Sequence, residues 1–194
     1  QSDQNLSKRS AVASLLLGAA VVVVASVLIH RSDVGAPPVI RGAPAPEFDL
    51  ARLRMSDADA SSSVNLSAQR GRVVLVNFWA TWCEPCEREM PAMERLYSTL
   101  AGEEFELIAV AIDDKEAEVR TFQERYQLSF PIVLDPDQSV YAEYQTMGVP
   151  ESLLVDRNGL IIERYVGPRE WDATEYIERI RELIDGQRRV PAEL

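Results

Sequence analysis

Histidine is almost missing from this chain: His30 is the one example in 194 residues, and it stands beside an apolar run far from either cysteine. That scarcity leaves a Cys/His metal cluster without ligands and a Cys–His nucleophile pair without its base. Cysteine is nearly as rare. Two residues cannot staple a disulfide scaffold, and they cannot fill a four-ligand zinc site. Positive charge is also short. Twenty Lys and Arg stand against 31 Asp and Glu, giving a formal net charge of −11 and a pI near 4.6. Such a balance repels nucleic acid and anionic headgroups. No internal repeat is visible. The length and apolar content suit one domain of ordinary size plus an extension.

The two cysteines lie in Asn77-Phe78-Trp79-Ala80-Thr81-Trp82-Cys83-Glu84-Pro85-Cys86. They follow the apolar run Val73 to Trp79, which reads as a buried central strand. They precede Met90, Met93, Leu96, Tyr97 and Leu100, which recur at helical spacing. A dithiol is thus placed where a strand ends and a helix begins. Orphan backbone N–H groups and the positive end of the helix dipole favour a thiolate there. This is the pattern read as thioredoxin-like redox chemistry. The competing reading, a structural staple, makes poor physical sense, because so short a loop restrains the unfolded chain little.

Cys83, at the helix start, is expected to be the exposed nucleophile, and Cys86, one turn inside, the resolving thiol. Pro85 stiffens the first turn. Glu84 places a negative charge beside Cys83, which raises the thiol pKa and tilts the pair towards giving electrons away.

Residues 11–29 form a run without charge, interrupted mildly by Ser14, Gly18 and Ser26. As a helix it would extend roughly 28 Å, close to the ~30 Å hydrocarbon thickness. A retained membrane anchor is the favoured reading over a cleaved signal peptide or a core helix. Lys8 and Arg9 precede the run and suggest that the N-terminus faces the cytoplasm. The organisation expected is a leader over 1–10, the anchor over 11–29, a Pro-rich linker over 30–45, a folded domain over 46–186 and a tail over 187–194.

Within the domain, Phe48 to Leu50 reads as a short strand and residues 56–63 as an exposed loop. Val64 to Leu66 is extended, and Ser67 caps a single turn ending at Gly71. Pro91 should kink the helix after the dithiol. Phe105 to Ile112 is a strand. Asp113 or Asp114 caps a helix lined by Val119, Phe122 and Tyr126. Phe130 to Leu134 is a strand, and Asp135-Pro136 opens a small helix. Val149 to Val155 and Leu160 to Val166 form a hairpin about Asn158-Gly159. Asp172 caps a final helix with Tyr176, Ile177, Ile180 and Ile184 inward. The fold class expected is α/β, a mixed sheet with helices on both faces.

The active-site stretch from Val73 to Cys86, the insertion carrying the helix over 115–127, and Gly148-Val149-Pro150-Glu151-Ser152 resemble the membrane-anchored thioredoxin-like proteins of the TlpA/ResA type. The likeness spans about Ala45 to Ile184. It implies a thioredoxin-like fold behind one transmembrane helix, with Val149–Pro150 as a cis peptide packed against the dithiol. It implies an extracytoplasmic protein thiol-disulfide oxidoreductase that reduces oxidised cysteine proteins, often the haem-attachment cysteines of apocytochrome c. A membrane thiol protein would supply its electrons. No cofactor, metal or nucleic acid is implied, and the chain is expected to act as a monomer.

Glu89 matches an acidic residue near the dithiol in ResA-type proteins and could buffer the proton of Cys86. Its alternative is a surface carboxylate paired with Arg88 or Arg95. Glu151 is more similar to the periplasmic cytochrome c maturation thioredoxins. Asn77 stands where many thioredoxins carry a buried aspartate, which removes one candidate base and favours Glu89 as the proton buffer. Trp79 is expected in the core, and Trp82 is weighed between the rim of a substrate groove and packing. Three other functions stay open: a disulfide-forming oxidant, a peroxiredoxin-like peroxidase suggested by Ala45-Pro46-Glu47-Phe48 and Pro131 to Asp135, and a redox-sensing binding module.

Overall fold

The apolar run Val73–Trp79 forms the middle strand of a five-stranded sheet, and each of its residues is buried. A computed structural model describes residues 38–54, 62–113 and 115–188. The expected leader, membrane span and first part of the linker lie outside the described residues, as do most of the loop over 56–63, Asp114 and the end of the tail. Among the described residues no helix is long and apolar enough to cross a membrane.

The elements are β1 (Asp49–Ala51), β2 (Ser63–Asn65), β3 (Val73–Trp79), α1 (Glu84–Thr99), β4 (Phe105–Ala111), α2 (Glu116–Tyr126), β5 (Ile132–Leu134), α3 (Ser139–Glu143), β6 (Glu151–Val155), β7 (Ile161–Val166) and α4 (Thr174–Arg188). The main sheet runs β5-β4-β3-β6-β7. β3, β4 and β5 are parallel, joined through α1 and α2, while β6 and β7 are antiparallel additions. This is the expected mixed sheet. β1 and β2 form a separate antiparallel ribbon.

Residues 38–45, assigned from sequence to the linker, run along the start of β7 instead. Gly42 N–H donates to Ile161 O at 2.7 Å, Ile161 N–H to Ala43 O at 2.9 Å and Ala45 N–H to Gly159 O at 2.9 Å. Val39 and Ala45 are buried. Prolines make this segment extended, and an extended backbone is what an open strand edge can pair with.

Several caps differ from expectation. Asn65 Oδ1, not Ser67, holds the 3-10 turn Ser67–Gln69, accepting from Ser67 N–H at 2.8 Å and from its hydroxyl. Asp113 does not cap α2, whose N-cap is Lys115 without a side-chain bond. Asp172 does not cap α4 with a bond of its own; it pairs with Arg95 at 2.7 Å. Asp135 does serve α3, from farther off than expected: its carboxylate accepts the N–H groups of Val140 and Tyr141. The hairpin between β6 and β7 turns with positive φ at Gly159 but not at Asn158. It is therefore not the two-residue Asn-Gly turn, which needs both.

Candidate active site

Cys83 is the N-cap of α1. Its backbone is extended (φ −89°, ψ 100°), which ends the loop from β3, and its carbonyl takes the first helical bond, from Glu87 N–H at 3.0 Å. Pro85 occupies the first turn, where a missing N–H costs nothing. Cys83 and Cys86 are joined as a disulfide with Cα atoms 5.2 Å apart. The Cys86 N–H points at Cys83 Sγ at 3.2 Å. A backbone donor aimed at that sulfur stabilises it as an anion once the bond is reduced.

The expected exposure of Cys83 is corrected by the structure: it is 5% exposed and Cys86 is fully buried. The order of accessibility holds, but Cys83 sits in a recess. One wall of that recess is Val149, whose carbonyl oxygen lies 3.5 Å from Cys83 Sγ. The Val149–Pro150 peptide is cis, so the second segment expected at the dithiol is there. Trp82, next to Cys83 in sequence, is 68% exposed, and Met147, two residues before Val149, is 93% exposed. Trp79 is core, as expected, and packs tilted against Phe122 of α2 with ring centroids 4.8 Å apart.

Glu89 is not a surface carboxylate. It is 3% exposed, and the two arginines weighed as its partners are engaged elsewhere, Arg88 with Glu84 and Arg95 with Asp172. Three N–H donors converge on it. Asn77 Nδ2 reaches Oε1 at 3.1 Å; the Arg169 backbone N–H and the Trp171 indole reach Oε2 at 3.1 Å and 3.2 Å. Burial pushes its pKa up to about 7, against the lowering effect of these donors and of the Arg169 guanidinium. Glu89 lies three residues after Cys86 on α1, the spacing that puts two side chains on one helix face.

Asn77 is buried at the centre of β3, paired across the sheet with Ser152, and also donates to the Ser152 hydroxyl at 2.9 Å. Its Oδ1 has no partner. Glu84, by contrast, is exposed in the first turn and tied to Arg88. A solvated, partly neutralised carboxylate acts weakly on its neighbour, so the tilt assigned to Glu84 from sequence is small. Glu151 is buried but structural: Arg164 forms an ion pair with it and also donates to Tyr144 O at 2.8 Å.

Sequence reading missed three contributors. Asp113, at the end of β4, accepts Thr81 N–H at 3.1 Å and the Thr81 hydroxyl at 2.5 Å, fixing the loop that carries the cysteines. Burial pushes its pKa up, against the lowering effect of those bonds. Arg169 and Trp171 come from the loop between β7 and α4, which no periodicity marks. Among the described residues no group of His, Cys, Asp and Glu could hold a metal ion.

The sequence profile of the AhpC/TSA family matches residues 41–164. Thiol-disulfide oxidoreductase ResA of Geobacillus thermodenitrificans is 33% identical over 180 residues, 92% of this chain and 97% of the relative. The ResA of Geobacillus kaustophilus is 38% identical over 143 residues, 74% of this chain and 77% of that one. Among solved structures, one assigned to a thiol:disulfide interchange protein DsbE from Chlorobium tepidum superposes with a TM-score of 0.66 at 30% identity, covering 75% of this chain and 98% of the other. With a Cys-x-x-Cys disulfide at the strand–helix junction and relatives of this kind over most of its length, the chain belongs to the AhpC/TSA family and is a thioredoxin-like thiol-disulfide oxidoreductase of the ResA type.

Proposed function

We propose that the chain is a membrane-anchored protein disulfide reductase acting outside the cytoplasm, on oxidised cysteine pairs such as the haem-attachment cysteines of apocytochrome c. The observation that carries this reading is the buried Glu89 carboxylate one turn beyond Cys86, with a pKa near neutrality. It provides a proton acceptor on the side of the resolving thiol, which a reductase needs each turnover.

In the reduced protein, Cys83 attacks one sulfur of the substrate disulfide as a thiolate. A mixed disulfide forms and the other substrate sulfur leaves as a thiolate, which takes up a proton. Cys86 then gives its proton to Glu89 and attacks Cys83 Sγ. The Cys83–Cys86 disulfide forms, the second substrate sulfur is released, and Glu89 passes its proton on to it. The substrate has gained two electrons and two protons; the dithiol has lost them. A thiol protein at the membrane returns the pair to its reduced form. The Val149 carbonyl beside Cys83 offers an acceptor to a substrate backbone N–H, and Trp82 and Met147, close in sequence to Cys83 and Val149, offer exposed apolar surface.

The segment over 11–29 supports the anchor through its length and lack of charge. The two stretches that suggested a peroxidase have structural duties here: Phe48 is core, Pro46 O accepts the Tyr144 hydroxyl, and Asp135 holds α3. Cys86→Ser separates a reductase from a redox-sensing binding module, which would trap nothing. A reductase accumulates covalent partners through Cys83 that a thiol reagent releases, and identification of those partners tests the cytochrome assignment. A reduction potential above about −170 mV, towards the ~−120 mV of strong oxidants rather than the ~−270 mV of thioredoxin, overturns the direction of electron flow.

A further inference from the structure

We propose that Trp171 is a positioning residue for the dithiol chemistry: its indole N–H, with the Arg169 backbone N–H and the Asn77 amide, fixes the Glu89 carboxylate in a cradle of donors on the Cys86 face of α1. The proposal rests on the reading that Glu89 serves Cys86, and it assigns the loop between β7 and α4 to the active site.

The geometry is specific. Glu89 and Trp171 are both essentially buried, at 3% and 1% exposure, and are far apart in sequence. The loop that carries Trp171 is fixed at both ends. Gly167 N–H donates to the Pro150 carbonyl at 2.9 Å, so the loop starts from the segment that walls the Cys83 recess. At the other end Trp171 packs edge-on to Tyr165 of β7 at 5.2 Å and against Tyr176 of α4 at 4.9 Å. The indole ring therefore has little freedom, and neither does the oxygen it binds.

The three donors have a chemical consequence. None of them, as oriented, can accept a proton from Glu89, so the cradle satisfies the carboxylate and leaves the acid form short of an acceptor. Burial acts the other way and favours the acid. The charged groups nearby do not decide the balance alone. Arg169, from the same loop, lowers the pKa, but its guanidinium also donates to the Gly167 and Pro168 carbonyls. Glu151 on β6 is engaged by Arg164, and Cys86 is in the disulfide. Two donors share Oε2 and one faces Oε1, so an arriving proton goes to Oε1. Asn77 carries the missing acceptor: a half-turn of its amide presents the unpartnered Oδ1 to that proton and to the Ser152 hydroxyl. The Trp171 side of the cradle stays fixed while the Asn77 side follows the proton.

The test is nitrogen and carboxyl-carbon NMR on the full chain in detergent. In the wild type, the Trp171 indole resonance should move with pH at the same inflection as the Glu89 carboxyl, and this movement should vanish in Glu89→Gln. In Trp171→Phe, which keeps an aromatic ring, the proton affinity of Glu89 should rise roughly tenfold, the effect of one lost donor on a charged acceptor. An indole resonance that stays flat across the Glu89 titration overturns the proposal, as does an unmoved inflection in a folded Trp171→Phe protein. Should that variant fail to fold, the wild-type indole titration decides alone. Turnover of a protein disulfide by Glu89→Gln tests the underlying reading separately, since the NMR measurement needs no turnover.

Discussion

Asp113 holds Thr81 by two bonds, one to its backbone N–H and one to its hydroxyl, across the gap between the end of β4 and the loop leading to Cys83. This latch ties the dithiol to the neighbouring strand of the sheet rather than to its own helix. Asp113 is 4% exposed and Thr81 is half-buried, so water replaces the carboxylate poorly. Asp113→Ala should destabilise the protein by about 1–3 kcal/mol, the cost of stranding buried donors. Asp113→Asn keeps an acceptor in place and should recover most of that. Urea unfolding of the two variants checks the pair, and equal losses would show that charge, not the latch, matters.

The buried Glu89 makes stability depend on pH with a defined sign. Burial raises its folded-state pKa to about 7 from the ordinary 4.5, so the folded protein binds the proton more tightly than the unfolded chain does. The stability it contributes is fully present below about 4.5 and is lost as pH rises through about 7. The span is about 3 kcal/mol for a shift from 4.5 to about 7. Glu89→Gln should abolish that slope. Glutamine fits the cradle, with its oxygen on the Trp171 side and its amide facing a turned Asn77. Unfolding free energies at pH 5 and pH 8 for both proteins provide the comparison.

Arg164 is the counterpart of a buried carboxylate that has no catalytic duty in this scheme. It pairs with Glu151 and also binds the carbonyls of Tyr144 and Val39. Arg164→Ala removes the cation from the buried Glu151 carboxylate and leaves it the Met147 N–H at 3.4 Å, a change that costs about 3–5 kcal/mol. The loss should appear as a lower urea midpoint. A double variant, Arg164→Met with Glu151→Leu, should recover a large part of it.

Trp82 exposes most of its surface to solvent, so its removal affects the fold little, within about 0.5 kcal/mol. Its effect should fall on substrate capture. Trp82→Ala is expected to lower kcat/KM for a protein disulfide roughly tenfold, the effect of losing one aromatic contact. Reduction of a small synthetic disulfide should be unchanged. Equal losses with both substrates would place Trp82 in the chemistry instead.

Much of this site is legible in the residues alone. β3 is legible because its burial on both faces leaves an unbroken apolar signature. The dithiol at the helix start follows from that boundary. Glu89 was harder: on a helical wheel it counts with the polar face, and its burial depends on a loop eighty residues away. Trp171 gave no signal, since it lies in a loop where neither helical nor strand periodicity applies. Asp113 and Asp172 depart from the capping role their positions suggest for one reason. Capping rules look downstream along the chain, while both side chains are used across space, by Thr81 and by Arg95. Local chemistry is legible where the partners are neighbours; a cradle assembled from β3, α1 and the loop after β7 is not.

The bonds of residues 42–45 to β7 have a counterpart on the opposite side of the sheet, where Arg52 bridges Val133 and Leu53 N–H donates to Ile132 O at 2.9 Å on β5. Both outermost strands are therefore partly closed by chain that precedes the dithiol. An open strand edge is a template on which another molecule can add, and a five-stranded sheet has two. During synthesis the segments that close them emerge first, before either strand they protect exists. The growing chain thus carries its own guard against aggregation ahead of the surfaces that need it.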